Sequence, residues 1–226
     1  MKKLIALFMG AAMVFSLAAC SGGNPSSPDT TNPSETSESS ASSTAPDTSE
    51  PGSTETTAGT EGGSTLVVYF SATGNTEKAA TYIAEITGGD LFELEPAQPY
   101  TDEDLNYGND DSRVSREHED ESLRDVELVA DTVDNWDSYD TIFIGYPNWW
   151  ADLPMAVYSF FDEYDFSGKT IIPFNVHNGS RFSRTIQTIK ELEPNATMVE
   201  DGFTVSEQTV DGAAGDVADW LDELGY

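Results

Sequence analysis

Hydrophobic and polar positions divide the chain into three unlike stretches. Leu4 to Ala19 is an uncharged apolar run behind Met1-Lys2-Lys3. Residues 21–63 are Ser, Thr, Pro, Gly and acids with almost no apolar side chain. From Ser64 onward, short apolar runs alternate with periodic segments. Leu66-Val67-Val68-Tyr69-Phe70 is continuous and mostly β-branched or aromatic, which suits a parallel strand covered on both faces. Residues 76–87 place Ala79, Ala80, Ile83 and Ala84 on one helical face, and Gly88-Gly89 stops the pattern. Leu91 to Leu94 predicts a second strand, ended by Pro96. Residues 100–138 are acid-rich and nearly aperiodic, and a short helix around Asp111–Leu123 is the most they predict. Thr141–Gly145 predicts a third strand, and Pro154 opens a helix through Phe161, proline being suited to a first turn. Lys169–Asn175 predicts a fourth strand, with Pro173 placed near its end, where a missing ladder donor does least harm. Phe182, Ile186, Ile189 and Leu192 mark another helix, and a last strand lies near Thr197–Phe203. Ala214, Val217, Ala218, Leu221 and Leu224 form one face of a terminal helix.

Five strands alternating with helices predict a three-layer α/β/α sandwich around a five-stranded parallel sheet. Residues 64–226 have the length of one ordinary domain with a core of its own. Ligands of such sheets bind beyond the carboxyl ends of the strands. The loops after Phe70, Gly145 and Asn175 are therefore where chemistry is expected.

The first 20 residues have the cationic start and apolar middle of a secretory signal, and the run is short for a membrane span. Leu17-Ala18-Ala19-Cys20, followed by Ser21-Gly22-Gly23, resembles a bacterial lipobox. The resemblance implies a lipoprotein signal peptide over 1–20, cleavage before Cys20, and lipidation of Cys20. The mature chain would then be anchored on the outer face of the cell membrane, two acyl chains making the anchor stable. An ordinary signal peptide that happens to contain a cysteine is the alternative. Residues 21–63 cannot bury enough surface to offset chain entropy and are expected to be a disordered acidic tether. A flexible chain of that length has a reach of about 35–40 Å.

Charge narrows the partners. The chain has 41 acidic and 10 basic side chains, net −31. Setting aside Lys2 and Lys3 and the tether's seven acids (Asp29, Glu35, Glu38, Asp47, Glu50, Glu55 and Glu61) leaves 34 acids and 8 bases in residues 64–226, net −26. Such a surface repels nucleic acid and anionic lipid and attracts a basic partner. It also serves plain solubility. Cys20 is the only cysteine, so no intrachain disulfide or cysteine metal site is available. His118 lies among Glu117, Glu119 and Asp120, where a solvated charged face is the expected reading rather than a metal site.

Ser71-Ala72-Thr73-Gly74-Asn75-Thr76 joins the first strand to the first helix. Gly74 lets the backbone curl, successive N–H groups can form an anion nest at the positive helix end, and Ser71, Thr73 and Thr76 add hydroxyls. The loop contains no Lys or Arg. A phosphate here would be held by dipoles and hydroxyls alone. Neither the P-loop pattern nor the dinucleotide G-x-G-x-x-G pattern is present. Taken alone, the same residues are also those of a helix cap. Two adjacent tryptophans in a polar loop, Gly145-Tyr146-Pro147-Asn148-Trp149-Trp150, are unusual. One is expected to pack under Pro154 and the other to stack on a flat ligand ring, an interaction worth about 0.5–1.5 kcal/mol beyond burial.

The segment 71–76 closely resembles the FMN phosphate loop of flavodoxins. The likeness extends over residues 64–226 through Gly145–Trp150, through Tyr164-Asp165-Phe166-Ser167-Gly168-Lys169, and through His177-Asn178-Gly179-Ser180. It implies the strand order 2-1-3-4-5, of which flavodoxin is the standing example. It implies FMN as cofactor, with Ser71 to Thr76 on the phosphate and Pro147, Asn148, Trp149 and Trp150 at the ring. His177, Asn178, Gly179 and Ser180 would form the other wall. Asn178 stands where such proteins often carry glycine, and Asn tolerates left-handed geometry better than most residues. A capping or surface role for His177 stays open, and nothing supports proton transfer by it. No catalytic residue and no metal ligand is expected. The function implied is electron transfer with a redox partner, the partner having a basic docking surface. Two alternatives are an NAD(P)H-dependent FMN or quinone oxidoreductase and a flavin-free binding lipoprotein on the same fold. A serine hydrolase is disfavoured, since no G-x-S-x-G is present.

Overall fold

The structure, a computed structural model, describes residues 64–130 and 132–226. The expected signal peptide 1–20 with Cys20 and the tether 21–63 lie outside the described residues. Among the described residues no helix is long and apolar enough to cross a membrane.

Strand β1 (Ser64–Tyr69) occupies the middle of a parallel sheet. Its side chains alternate, Leu66 and Val68 to one core and Val67 and Tyr69 to the other. That two-sided burial is why the run is apolar without interruption. Strands β2 (Asp90–Glu93) and β3 (Tyr139–Pro147) flank it, and β4 (Thr170–His177) pairs with β3. The order is β2-β1-β3-β4-β5, with β5 (Thr197–Met198) at the edge. This is the expected 2-1-3-4-5 arrangement.

Helices α1 (Asn75–Thr87) and α5 (Ala214–Leu224) cover one face. The stripe Ala79, Ala80, Ile83 and Ala84 of α1 is buried there with Val217 and Leu221 of α5. Gly88 ends α1 at φ 68°, its N–H bonding to Ala84 O at 2.9 Å. Left-handed geometry of this kind is nearly free for glycine alone. Helices α3 (Met155–Glu163) and α4 (Thr185–Leu192) cover the other face. Pro154 stands at the N-cap of α3 rather than inside its first turn, with extended backbone.

Two expectations change. Pro173 lies in the middle of β4, not near its end. Ile171 O accepts from Val199 N–H and His177 O from Glu207 N–H, so the odd-numbered positions of β4 face the fifth strand. The donor that Pro173 lacks therefore points to that side. There the fifth strand breaks into β5 and β6 (Phe203–Ser206), with four residues passing where β4 spends two. Gly202 crosses the gap so closely that a Cβ on it would stand 2.2 Å from Pro173 O. The missing donor and the strand break coincide, and the single strand expected over Thr197–Phe203 is two.

The acid-rich segment is folded. After a bridge between Pro96 and Leu128, it contains α2 (Arg113–Glu119) and a 3-10 turn at Glu121–Leu123. Ser112 caps α2 by accepting from Ser115 N–H. Glu117, 6% exposed, accepts from the Tyr100 hydroxyl and from Arg113 Nε, both at 2.6 Å. A buried carboxylate persists only when paired this way.

Candidate functional site

The loops after β1, β3 and β4 meet at the carboxyl end of the sheet around a cavity of about 560 Å³. That volume is in the range of small-molecule sites. Ala72, Thr73, Asn75 and Thr76 line it from the first loop. Pro147, Asn148, Trp149 and Trp150 line it from the second, and His177, Asn178 and Ser180 from the third. Ser71, Gly74 and Gly179, also expected at the site, are not among its lining residues. Gly74 opens α1 at φ 76°. Ser71 Oγ is buried without a hydrogen-bond partner. Lys78, one turn into α1, is paired with Asp211 at 2.5 Å, and the loop itself carries no charge.

The second loop turns on two strained residues. Trp149 and Asp152 exchange backbone hydrogen bonds at 3.1 and 2.8 Å. Between them Trp150 has φ 52° and Ala151 φ 64°. This is the left-handed turn that normally takes Asn-Gly. Each non-glycine residue held there costs about 1–2 kcal/mol. Asp152 anchors the turn. Burial by itself would raise its pKa, but hydrogen bonds and ion pairing with Arg184 hold the carboxyl below the usual range. Thr188 Oγ1 also donates to it at 3.1 Å.

The two tryptophans part company here. Trp149 is 8% exposed and packs edge-on against Phe70 (5.2 Å) and Tyr100 (4.9 Å). Trp150 is 40% exposed, and its ring lies parallel to His118 at 5.2 Å and 13°. Trp149 is thus the packed member of the pair and Trp150 the presented one. His118 is exposed as expected, but its ring is engaged rather than simply solvated.

The third loop is fixed by two side-chain amides, of which Asn175 is buried and Asn148 half-buried. Arg181 O accepts from Asn148 Nδ2 (2.6 Å) and Asn175 Nδ2 (2.7 Å). Asn175, fully buried, accepts in turn from Thr204 Oγ1 at 2.6 Å. Asn148 Oδ1 is left buried without a partner. Left-handed geometry falls on Gly179 (φ 99°), and Asn178 does not adopt it. Gly179 N–H donates to His177 Nδ1 at 2.8 Å, which places the proton of a neutral imidazole on Nε2. Burial and the Arg181 charge lower the His177 pKa against an opposing pull from Glu207, so the ring is neutral at pH 7.

A phosphate-type loop at a helix N-terminus and an aromatic plate thus share one cavity beyond a 2-1-3-4-5 sheet. Residues 64–224 match the family model for flavodoxins. The chain belongs to the flavodoxin family. Among flavodoxin-like solved structures, a candidate flavoprotein of Bacteroides uniformis is 34% identical, with a TM-score of 0.65 over 72% of this chain and 99% of that one. A second, from Bacteroides eggerthii, is also 34% identical, with a TM-score of 0.60 over 70% and 99%. A Lactobacillus acidophilus flavoprotein crystallised with FMN shares the fold at 22% identity and a TM-score of 0.53, over 66% and 97%. No curated protein matches the chain. The cavity is also lined by Leu105, Tyr107, Ala151, Val176 and Glu207, which the sequence did not single out. Burial and the nearby Glu207 charge raise the Tyr107 pKa, so its hydroxyl stays protonated. Tyr107 sits between Asn106 and Gly108, and an aromatic in such a polar turn was the one available sign.

Proposed function

We propose that this protein holds FMN in the cavity of about 560 Å³ and carries electrons outside the cytoplasmic membrane, tethered there through a lipidated Cys20. The observation that carries the reading is the pairing, in one cavity, of an uncharged hydroxyl-rich helix start with an exposed indole. Two orphaned polar atoms support the fit. Ser71 Oγ is a buried donor without an acceptor, which suits a phosphate at the N-terminus of the 13-residue α1. Asn148 Oδ1 is a buried acceptor without a donor, which suits an N–H at the edge of a flat ring. Thr73 and Thr76 would add hydroxyls at the phosphate, and Trp150 an aromatic face at the ring. His177 would offer Nε2–H as a neutral donor. Bound FMN would supply the redox chemistry. The chain's own part would be to grip, to orient, and to set the charge around the ring.

The test is a visible spectrum of purified protein before and after incubation with excess FMN. A flavin spectrum with a saturable binding curve is expected, and a protein that stays colourless sinks the reading in favour of a flavin-free binding lipoprotein. Rapid bleaching of the loaded protein by NADPH alone would move the function to an NAD(P)H-dependent oxidoreductase. The tether is tested separately. A clickable fatty acid should label the wild-type chain in the membrane fraction, and Cys20→Ala should abolish the label.

A further inference from the structure

Trp150, like Trp149, borders two cavities. It lines the large one, and it also lines a smaller cavity of about 80 Å³ on the side of α2. His118 lines only the smaller one, and its imidazole lies parallel to the indole. An indole has two faces, and His118 covers one. Tyr107, on the large-cavity side, meets Trp150 at an angle of 53° and so covers no face squarely.

From this we infer that His118 is a positioning residue for the cofactor site: it backs the indole of Trp150, so that ligand ring, Trp150 and His118 form a three-layer stack. The inference rests on the flavin reading and deepens it. Two further features fit. Trp150 is held at the tip of a strained turn, with φ 52°, and is 40% exposed. An indole so placed has little packing of its own to fix its plane, and a flat neighbour on the reverse face supplies it. Helix α2 is short, yet its far end is pinned. Glu117, next to His118, is buried in hydrogen bonds with Tyr100 and Arg113. The acid-rich segment that the sheet does not need thereby delivers a plate to the back of the site. The exposed amphipathic character of His118 and its acidic neighbours is compatible with that role and did not announce it.

The test has an arm without flavin and an arm with it, both on the chain from Ser21 onward with the tether included. In the apo protein, the His118 ring protons should be shifted upfield by the indole ring current. Trp150→Leu should return them to unstacked positions. The chain has only two histidines, so His118→Phe identifies the signals. In the loaded protein, His118→Ala should weaken FMN binding about three- to tenfold, the contribution of one stacked aromatic pair. His118→Phe, flat but without polar atoms, should bind more tightly than His118→Ala, within about twofold of the unaltered protein. Unshifted His118 protons, or His118→Phe as weak as His118→Ala, would overturn the stack while leaving the flavin reading in place. Failure of the unaltered protein to take up FMN would overturn both.

Discussion

At the scale of single residues, the site is marked by groups that the protein leaves unsatisfied. Ser71 Oγ is buried with no partner, so removing it and removing its interaction with a ligand have different consequences. Ser71→Ala should leave the apo protein as stable or slightly more stable, since a buried orphan donor is lost. The same change should weaken FMN binding about tenfold or more, as loss of a hydrogen bond to a charged group does. Thermal melts and a binding titration on the one variant check both signs. Glu193 gives a second residue-scale test. Burial first, then the charges of Asp165 and Asp162, push its pKa up to about 7. In the unfolded chain it titrates near 4.5. The folded state therefore keeps its proton to higher pH, and stability is lost as pH rises from about 4.5 to 7. Glu193→Gln should raise stability at pH 8 by about 1 kcal/mol, discounted for solvent screening, and change little at pH 4. Denaturant melts at both pH values check this, and equal effects would rule it out. Which residues could be read from sequence follows from locality. The loop 71–76 declares itself through six neighbours in a row. Tyr107, Leu105 and Glu207 reach the cavity from distant stretches, and His118 gains its role only through Trp150, a contact 32 positions away that no local pattern encodes.

At the scale of elements, apolar runs and helical stripes predict the layers because burial on two faces leaves a strand no polar positions. β1, α1 and α5 were legible for that reason. The short α2 was the hardest to place, because a buried glutamate and a cap hold it rather than a stripe. Pro173 misled on position, because a strand tolerates proline wherever its neighbour also breaks, and only the register reveals that. Register likewise explains Gly145, which lies opposite Phe174 in β4. A Cβ there would stand 2.0 Å from the Phe174 ring. Gly145→Ala should cost at least about 2–3 kcal/mol by overpacking at the start of the Trp150 loop. Chemical denaturation measures it, and a loss below 0.5 kcal/mol would contradict the packing. The turn after β3 offers the reverse case. Ala151 at φ 64° is strained, and glycine is not. Ala151→Gly should raise stability by about 0.5–1 kcal/mol, after the glycine's greater freedom in the unfolded chain is subtracted. A fall in melting temperature would show that the turn is not strained.

At the scale of the whole molecule, charge dominates. A net −26 over residues 64–226 makes the folded state repel itself, and salt should stabilise it. The same field opposes adding negative charge to a bound ring. The second reduction potential of loaded FMN should therefore lie below that of free FMN, and a potential at or above it would remove the argument. The sequence made this field legible at once, as a count, while leaving open what it serves. Both margins of the sheet have one property in common. β2 is four residues long and begins and ends in carboxylates, Asp90 and Glu93. On the opposite margin, β5 and β6 are two and four residues long, separated by Val199 to Gly202 with Glu200 and Asp201 between them. Neither border offers another polypeptide a long, neutral row of free amides to extend. Crowded side by side, such molecules would have no ready seam along which to zip into fibres, and the interruption opposite Pro173 becomes a safeguard against self-templating.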